Sequence, residues 1–339
     1  MATRRRPDGQ ASTDPAKAAK AALAAVLRQR VALWADLDAE LARLIDQALA
    51  QITAQLARAP SDYQQWVLPR LAEGVRRVGD ELAVTSATRA ADGLRQAWVL
   101  GEQAVTQPVA AAQAAEARQV ATGAAAPLAA PPTLAPAAPD LRQLRALQAV
   151  NTHLITGATT DLVNAINREL GQVVLGARSP FEAMQRVQTL MPDRTTRQVR
   201  GIVTTNLGTA FNTASFRALE AQAARDPLIR KQWRRSGKLH SRWNHDLADG
   251  QVQDVGVPFE LVAADGRGTV HLMYPADPAA PVGEVIHCGC VALPWKATWK
   301  MRTPAGKQLS AEELAARRED AARRAGKRLP AGRRSAAKR

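Results

Sequence analysis

A long run of apolar residues at helical spacing constrains the fold of this chain more than any other feature. Asp14 followed by Pro15 is the pattern of a helix N-cap with proline at the first helical position. Large apolar residues then recur at helical intervals, which predicts one long amphipathic helix. These residues are Leu23, Leu27, Trp34, Leu37, Leu41, Leu44, Ile52 and Leu56.

Two further helical stretches are predicted after this helix. Pro60 and Ser61 end the first helix and start a second one, whose apolar residues run as far as Leu82. A third stretch passes through Leu94 and Trp98. The first third of the chain is therefore predicted to be a helical hairpin or a small bundle.

A segment of unusual composition follows the helices. From Thr122 to Pro139 the chain is almost entirely alanine, proline and glycine, which cannot pack a core and favours an extended linker. We predict a domain boundary there; the alternative is a surface crossing within one domain. The predicted divisions are a disordered basic N-terminus (1–13), a helical bundle (14–121), a linker (122–140), a second domain (141–299) and a basic tail (300–339).

The second domain changes character along its length. Three helices are predicted first, one of them opened by a capping box formed by Ser179 and Glu182. Between Gln232 and Pro294 the sequence consists of short segments rich in Gly, Pro, Asp and aliphatic residues, which predicts a small β-containing unit. The predicted fold class is therefore α+β, with a mainly helical N-terminal half.

The chain is strongly basic, with a formal net charge of +15 over 339 residues. Beyond Trp299 there are thirteen Lys and Arg residues against four Asp and Glu, and no aromatic residue. Without aromatic rings to stack on bases, contact with nucleic acid would be made to phosphates and would weaken with salt. The alternative is that the charge only keeps the tails solvated. The residues assigned to DNA contact are Arg317, Arg318, Arg323, Arg324, Lys327, Arg328, Arg333 and Arg334.

Nothing in the sequence indicates export or a membrane span. The first arginines are followed by Pro7 and Asp8 instead of the apolar run of a signal peptide. No stretch approaches the roughly 20 uninterrupted apolar residues of a membrane helix. Cys288 and Cys290 are separated by one residue and cannot join distant segments, which fits a reducing cytoplasm.

Two stretches of the second domain carry distinctive residue patterns. The first runs from Ile202 to Ala214 and contains Thr205, Asn206 and Asn212. The second runs from Gln232 to Pro294. Its elements, in order, are Trp233, Arg242 with His245, Leu247 with Asp249 and Gly250, Pro258 with Phe259, Tyr274 with Pro275, and Cys288 with Cys290.

Taken together, these patterns resemble the phage-Mu-type head morphogenesis family, the minor capsid proteins encoded beside the portal gene of tailed bacteriophages. The resemblance covers roughly Thr159 to Pro294. Thr204 stands where the family often has arginine. His287 and Gly289 stand where it typically has asparagine and arginine.

The resemblance implies a structural role. Family members are present in few copies in the head interior near the portal vertex, after assembly in the host cytoplasm, and they assist head assembly and DNA packaging or ejection. We therefore expect a virion component and no enzyme, with the portal protein, the major capsid protein and packaged double-stranded DNA as partners. The alternatives are the leading domain of a toxin-like enzyme, a metal-dependent nuclease-type enzyme, and a DNA-binding module independent of virions.

A group of possible metal ligands lies within the motif region. His245, His287, Cys288 and Cys290 supply donor types that zinc prefers. Standard zinc sites space their cysteines more widely, so the favoured alternative is that the cysteines are small buried apolar residues and that His245 forms hydrogen bonds across the unit. Zinc is a secondary hypothesis, and no other cofactor is expected.

Two catalytic patterns are considered and not adopted. A cysteine nucleophile paired with His245 and oriented by Asp249 lacks a recognisable oxyanion hole. Asp246, Asp249 and Asp254 suggest a metal-dependent nuclease, but Asp249 and Gly250 are better explained as a turn in which the glycine takes a positive φ. No catalytic residue is assigned.

Overall fold

The computed structural model of this chain describes residues 14–58, 68–122, 141–175, 177–190, 196–236, 242–264 and 268–299. The predicted N-terminal arm, the interior of the Ala/Pro linker and the basic tail lie outside these residues. The eight residues assigned to DNA contact belong to that tail. All three assignments therefore stay predictions.

Five helices account for most of the described chain. They are α1 (Pro15–Ala57), α2 (Leu68–Thr122), α3 (Leu141–Val174), α4 (Pro180–Leu190) and α5 (Thr196–Ala223). The predicted start of α1 is confirmed, because the Asp14 carboxylate accepts from the Ala16 backbone N–H at 2.9 Å. The capping box before α4 is also confirmed, since the Glu182 carboxylate accepts from the Ser179 backbone N–H at 2.9 Å.

One helix replaces the two separate stretches predicted for the second and third helices. α2 runs without a break from Leu68 to Thr122 and accommodates Pro108. Its interior glycines fill positions where a side chain would collide. A methyl group at Gly93 would lie 2.6 Å from Leu37 Cδ2, and one at Gly79 would lie 2.3 Å from Val163 Cγ2. These glycines let neighbouring helices approach closely and do not end the helix.

The β-structure is small and antiparallel. Its strands are β1 (Arg230–Arg234), β2 (Val252–Gln253), β3 (Phe259–Val262), β4 (Thr269–Leu272) and β5 (Val291–Trp295). One sheet has the order β2-β1-β5, and β3 and β4 form a separate two-stranded sheet. Two short helices, α6 (Trp243–Leu247) and α7 (Val282–Val285), lie between strands. Helices and a small antiparallel sheet region together make the fold α+β, as predicted.

The described residues form two compact units. The helical unit comprises Gln29–Val99 and Ala138–Phe211. Of the described residues, those within the ranges 14–28, 100–122 and 212–299 form the sheet unit. Each unit thus takes segments from both sides of the Ala/Pro linker, so the linear domain boundaries of the sequence analysis stay a prediction.

Each unit has its own apolar core. Large buried side chains of the helical unit are Leu41, Ile45, Ile52, Leu94, Trp98, Ile155, Ile166 and Phe211. The core of the sheet unit includes Phe216, Leu219, Trp233, Phe259, Leu272, Tyr274, Cys288, Cys290 and Trp299. Three tryptophan or phenylalanine rings of the sheet unit are fully enclosed, which gives this small sheet a substantial apolar centre.

Candidate metal centre

His245, Cys288 and Cys290 converge in the core of the sheet unit. The Nδ1 atom of His245 lies 3.5 Å from Sγ of Cys288 and 3.7 Å from Sγ of Cys290. The three potential ligand atoms all lie within 4.8 Å of one another. The residues are 1%, 5% and 2% exposed, respectively. This cluster could hold a metal ion among donors that are shielded from solvent.

A sharp turn of the chain presents the two thiols to the histidine. His287 has a φ of 56°, and the backbone N–H of Cys288 donates to the carbonyl oxygen of Val285 at 3.0 Å. The guanidinium group of Arg242, the residue before α6, donates to the carbonyl oxygen of Ile286. This bond ties the start of α6, which carries the histidine, to the turn that precedes the cysteines.

The structure does not bring His287 to the cluster, which corrects the four-ligand set of the sequence analysis. The side chain of His287 is exposed, whereas that of its neighbour Cys288 is buried. Residue types alone could not show which of the two histidines lies beside the cysteines, because both belong to the same motif region. His287 adopts a left-handed backbone conformation within the turn, and its side chain is not part of the cluster. His245 is the histidine that lies beside the two cysteines.

A buried carboxylate supports the histidine from its other side. Oε2 of Glu284 lies 2.7 Å from Nε2 of His245. The Asn244 amide donates to both Glu284 oxygens, at 3.2 and 3.0 Å, and also to the carbonyl oxygen of Val262 at 3.0 Å. Glu284 and Asn244 are 3% and 0% exposed. α6, α7 and β3 are therefore joined by one buried hydrogen-bond network around the cluster.

Burial and hydrogen bonding distribute charge unevenly in this network. Burial disfavours the protonated ring of His245, but contacts with Cys288 and Glu284 outweigh it and raise the pKa of His245. Burial also opposes ionisation of Glu284, yet hydrogen bonds from His245 and Asn244 lower its pKa. The contact with Cys290 lowers the pKa of Cys288, and the contact with Cys288 raises the pKa of Cys290. The lowered pKa values favour a thiolate at Cys288 and a carboxylate at Glu284, two negative groups that suit a cation.

The nitrogen–sulfur distances fit a tetrahedral ion. With metal–sulfur bonds of about 2.3 Å and metal–nitrogen bonds of about 2.0 Å, a tetrahedral angle separates a sulfur from a nitrogen ligand by about 3.5 Å. The observed separations from His245 Nδ1 are 3.5 and 3.7 Å. Two thiolates and an imidazole are donors for a soft or borderline ion, in contrast to the oxygen ligands of Mg²⁺ and Ca²⁺. In the part of the chain that the structure describes, no fourth His, Cys or carboxylate joins the cluster.

The same side chains include the elements of a thiol nucleophile, with a different orienting residue from the one considered in the sequence. His245 is oriented by Glu284 and not by Asp249. The Asp249 carboxylate instead accepts from the backbone N–H of Arg235 at 2.9 Å. Cys288 and Cys290 are buried in the core, so a substrate has no direct approach to either sulfur in this conformation.

Several other motif residues hold the sheet unit together. Asn212 on α5 donates its side-chain amide to the carbonyl oxygen of Cys290 at 3.0 Å. The hydroxyl groups of Tyr274 and Thr213 lie 3.3 Å apart. The ring of Phe259 packs edge-on against Trp233, with centroids 5.3 Å apart. These contacts join α5, the sheet and the cysteine segment.

The predicted turn at Asp249 and Gly250 is confirmed. Gly250 has a φ of 88°, a conformation that favours glycine. Of the aspartates considered for a nuclease site, Asp254 forms an exposed ion pair with Arg230 at 2.8 Å. Asp246 and Asp249 both approach the guanidinium group of Arg235, at 3.7 and 3.9 Å. Within the described ranges, His245, Cys288 and Cys290 form the one group of three or more potential metal ligands. The aspartates do not form a carboxylate cluster there.

Two motif residues lie elsewhere. Thr205 and Asn206 belong to the helical unit, where the Asn206 amide donates to the side-chain oxygen of Asn151 at 2.9 Å. The first motif stretch is therefore divided between the units, because Asn212 belongs to the sheet unit. One continuous motif on α5 therefore contributes residues to both units.

Sequence reasoning missed three buried polar residues. Glu284 and Asn244 complete the network around His245, and Lys231 lies on β1 between two aromatic rings. Asn244 could have been suspected from its position next to His245. Glu284 and Lys231 carry no comparable sign, because charged residues in short polar segments are normally exposed.

Comparisons with known proteins find no match for this chain. This holds for a scan against protein-family models, for a search of curated proteins and for a search of solved structures. Among the described helices, none combines the length and the apolar character needed to cross a bilayer. Function must therefore be inferred from the residues and their geometry.

Proposed function

We propose that this chain is a structural minor head protein of a tailed bacteriophage. It binds the portal and neighbouring capsid subunits, assists head assembly and DNA packaging or ejection, and is not an enzyme. The observation that carries this proposal is where the motif residues lie. Most are buried in the core of the sheet unit, and their polar groups bond to backbone and to one another.

A structural role explains why such varied residue types recur together in the motif. The Asn212 amide and the Asp249 carboxylate are used to fix backbone positions, and the Phe259 ring fills the core. Satisfied buried polar networks specify one arrangement of the chain, which is what a module that joins assembly partners requires. The burial of Cys288 and Cys290 favours this role over thiol catalysis.

The basic tail extends the proposal to DNA. The eight tail residues assigned to DNA contact supply positive charge without aromatic neighbours. We propose that they lie against packaged DNA and contact its phosphates, so that affinity falls steeply as salt is raised and shows no sequence preference. Packaged DNA in the head interior near the portal vertex is a polyanion, which a chain with a net charge of +15 attracts.

We propose in addition that the cluster of His245, Cys288 and Cys290 binds Zn²⁺. The donor set is one that zinc prefers, and the nitrogen–sulfur separations match a tetrahedral site. When bound, the ion would stabilise the folded sheet unit by linking α6 to the cysteine segment. The chain's own residues supply the three donors and the buried surroundings that exclude water.

Co-purification with the portal protein tests the structural role. The full-length chain, carrying an affinity tag, is co-expressed with the portal protein of a phage that carries its gene, and recovery of portal is measured. A full-length variant with the eight tail residues replaced by glutamine is the matched control. We expect both chains to recover portal, while only the unmodified chain retains DNA at low salt. Failure of the unmodified chain to recover portal would contradict the proposal.

Elemental analysis tests the metal. The full-length chain purified without chelators is expected to contain one Zn²⁺ per molecule, and a Cys288→Ser/Cys290→Ser variant is expected to contain none. Substitution with Co²⁺ should give the intense sulfur-to-metal charge-transfer absorption of a thiolate site. A folded chain that contains no transition metal and does not take up Zn²⁺ would show that the cluster is a hydrogen-bonded core element only.

A further inference from the structure

We infer that Glu284 is a positioning residue for the zinc site and sets how tightly the site holds its ion. It does so by fixing the tautomer and the orientation of His245. The inference rests on the zinc proposed above, and it adds a residue outside both the sequence motif and the set of ligands. It is carried by the geometry on the side of the imidazole that faces away from the cysteines.

The contact between Glu284 and His245 defines which ring nitrogen faces the ion. Nε2 of His245 lies 2.7 Å from Oε2 of Glu284. Because a carboxylate only accepts hydrogen bonds, Nε2 carries the hydrogen and Nδ1 keeps its lone pair. Nδ1 is the atom that lies 3.5 and 3.7 Å from the two sulfur atoms. The carboxylate thus prepares the ring as a metal ligand.

Glu284 is itself held in place. Asn244 donates to both of its carboxylate oxygens, and the same amide reaches the carbonyl oxygen of Val262 on β3. The Glu284 side chain is 4% exposed, so water does not compete for the carboxylate. A histidine ligand that donates its second N–H to a fixed carboxylate is both oriented and made more basic, and loss of such a partner typically lowers metal affinity 10- to 100-fold.

The experiment measures zinc affinity of the full-length chain by competition with a chromophoric chelator. Glu284→Gln keeps the size of the side chain and removes its charge. We expect this variant to bind Zn²⁺ about 10- to 100-fold more weakly than the unmodified chain. The matched control is Glu260→Gln, which makes the same change at an exposed carboxylate of β3 that lies 3.8 Å from the exposed His271. The control should bind zinc normally.

A second background separates positioning from a general structural role. In a His245→Cys chain the ligand set becomes three thiolates, and there is no imidazole for Glu284 to orient. Adding Glu284→Gln in this background should leave zinc affinity unchanged or increase it, because the carboxylate then has no partner ring. The Co²⁺ spectrum of the Glu284→Gln chain should match that of the unmodified chain, since the three ligand atoms are the same.

The outcomes are distinguishable. If the unmodified chain takes up no Zn²⁺, the zinc proposal fails and this inference fails with it. If the unmodified chain binds zinc and Glu284→Gln binds it equally well, the zinc proposal stands and the inference is overturned. An equal loss of affinity in the His245→Cys background would also overturn it. If Glu284→Gln does not fold, Asn244→Ala decides, with a smaller loss expected and unchanged affinity contradicting the inference.

Discussion

The helical unit and the sheet unit bury polar groups in different ways. Within the described chain, every buried Lys, His, Asp or Glu side chain belongs to the sheet unit, namely Lys231, His245, Asp277 and Glu284. Buried polar groups of the helical unit are neutral, and Thr159, for example, donates to the Ile155 carbonyl of its own helix at 3.1 Å. The helical unit therefore depends on apolar packing, and the sheet unit depends on polar networks that must remain complete.

This difference predicts unequal tolerance to substitution. An apolar core accepts changes that conserve volume at modest cost, whereas removing one member of a buried charged pair leaves the other member uncompensated. The sheet unit should accordingly be the less tolerant of the two. Hydrogen exchange with mass spectrometry resolves the two units separately and provides the readout for the comparison.

The largest effect is expected for His245→Ala in the sheet unit. The change removes the partner of the buried Glu284 carboxylate and one of the three residues of the candidate metal cluster. We expect the free energy of unfolding of the sheet unit to fall by about 3–5 kcal/mol. Ile166→Val, at a fully buried site of the helical unit, should cost about 1 kcal/mol. Equal losses of unfolding free energy for the two variants would contradict the expected difference between the units.

A pH-dependent effect is expected at Lys231. Its ammonium group donates to the Met273 carbonyl oxygen at 2.7 Å and lies 4.9 Å from the centre of the Phe259 ring. Burial lowers the pKa of Lys231 to about 8 from an ordinary value of 10.5. Between these values the unfolded chain binds more protons than the folded one, so this residue makes stability rise with pH.

Lys231→Met provides the corresponding measurement. Urea unfolding of the unmodified chain and of the variant is compared at pH 7.5 and at pH 10, so that groups shared by both chains cancel. The unmodified chain should gain up to about 3 kcal/mol relative to the variant over this interval. A difference between the chains that does not change with pH would show that the buried ammonium group is not penalised by folding.

Two asparagines, one in each unit, provide a matched comparison in which the expected loss of stability is intermediate. Asn212 is buried in the sheet unit and donates to the Cys290 carbonyl at 3.0 Å, whereas Asn206 is half-buried in the helical unit and donates to Asn151 at 2.9 Å. Replacing Asn212 with alanine should cost about 1–3 kcal/mol, because it leaves a buried carbonyl without this partner. Asn206→Ala should cost about 1 kcal/mol or less. Thermal unfolding of the two variants gives the ranking.

The smallest effect is expected at an ion pair of the helical unit. Arg200 and Asp38 form hydrogen-bonded contacts, and their side chains are 45% and 36% exposed. The contact with Asp38 raises the pKa of Arg200, but exposed pairs of this kind contribute about 0–1 kcal/mol. Arg200→Ala should therefore shift the urea midpoint only slightly, and by less at high salt. A loss of stability as large as that expected for His245→Ala would contradict the conclusion that the sheet unit depends more on polar contacts than the helical unit does.

Local patterns in the sequence predicted the parts of the fold that depend on neighbouring residues. The N-cap at Asp14, the capping box at Ser179 and the positive φ of Gly250 follow from backbone requirements within a few positions. The fold class was also predicted, because helical and short-segment patterns occupy different parts of the chain. The continuity of α2 was missed, because the residues between Leu82 and Leu94 are mostly small or polar and interrupt the pattern of large apolar side chains.

The candidate site was predicted only in part, for a physical reason. The sequence offered zinc binding by His245, His287, Cys288 and Cys290 only as a secondary hypothesis, and the structure brings three of these four residues together. Choosing between His245 and His287 required the backbone turn at His287. Glu284 contacts His245 across 39 positions, and nothing local to Glu284 indicates that it is buried. The grouping of segments distant in sequence into each unit likewise depends on long-range contacts within that unit.

Protein composition of purified particles tests the central claim most directly. The proposed function is tested by quantitative mass spectrometry of purified heads of a phage that carries the gene for this chain, compared with the same analysis of the infected cell extract. The structural account predicts that the chain is enriched in mature particles, in few copies beside the portal protein. Particles that mature and infect normally while lacking this chain, with the polypeptide remaining in the extract, would contradict it.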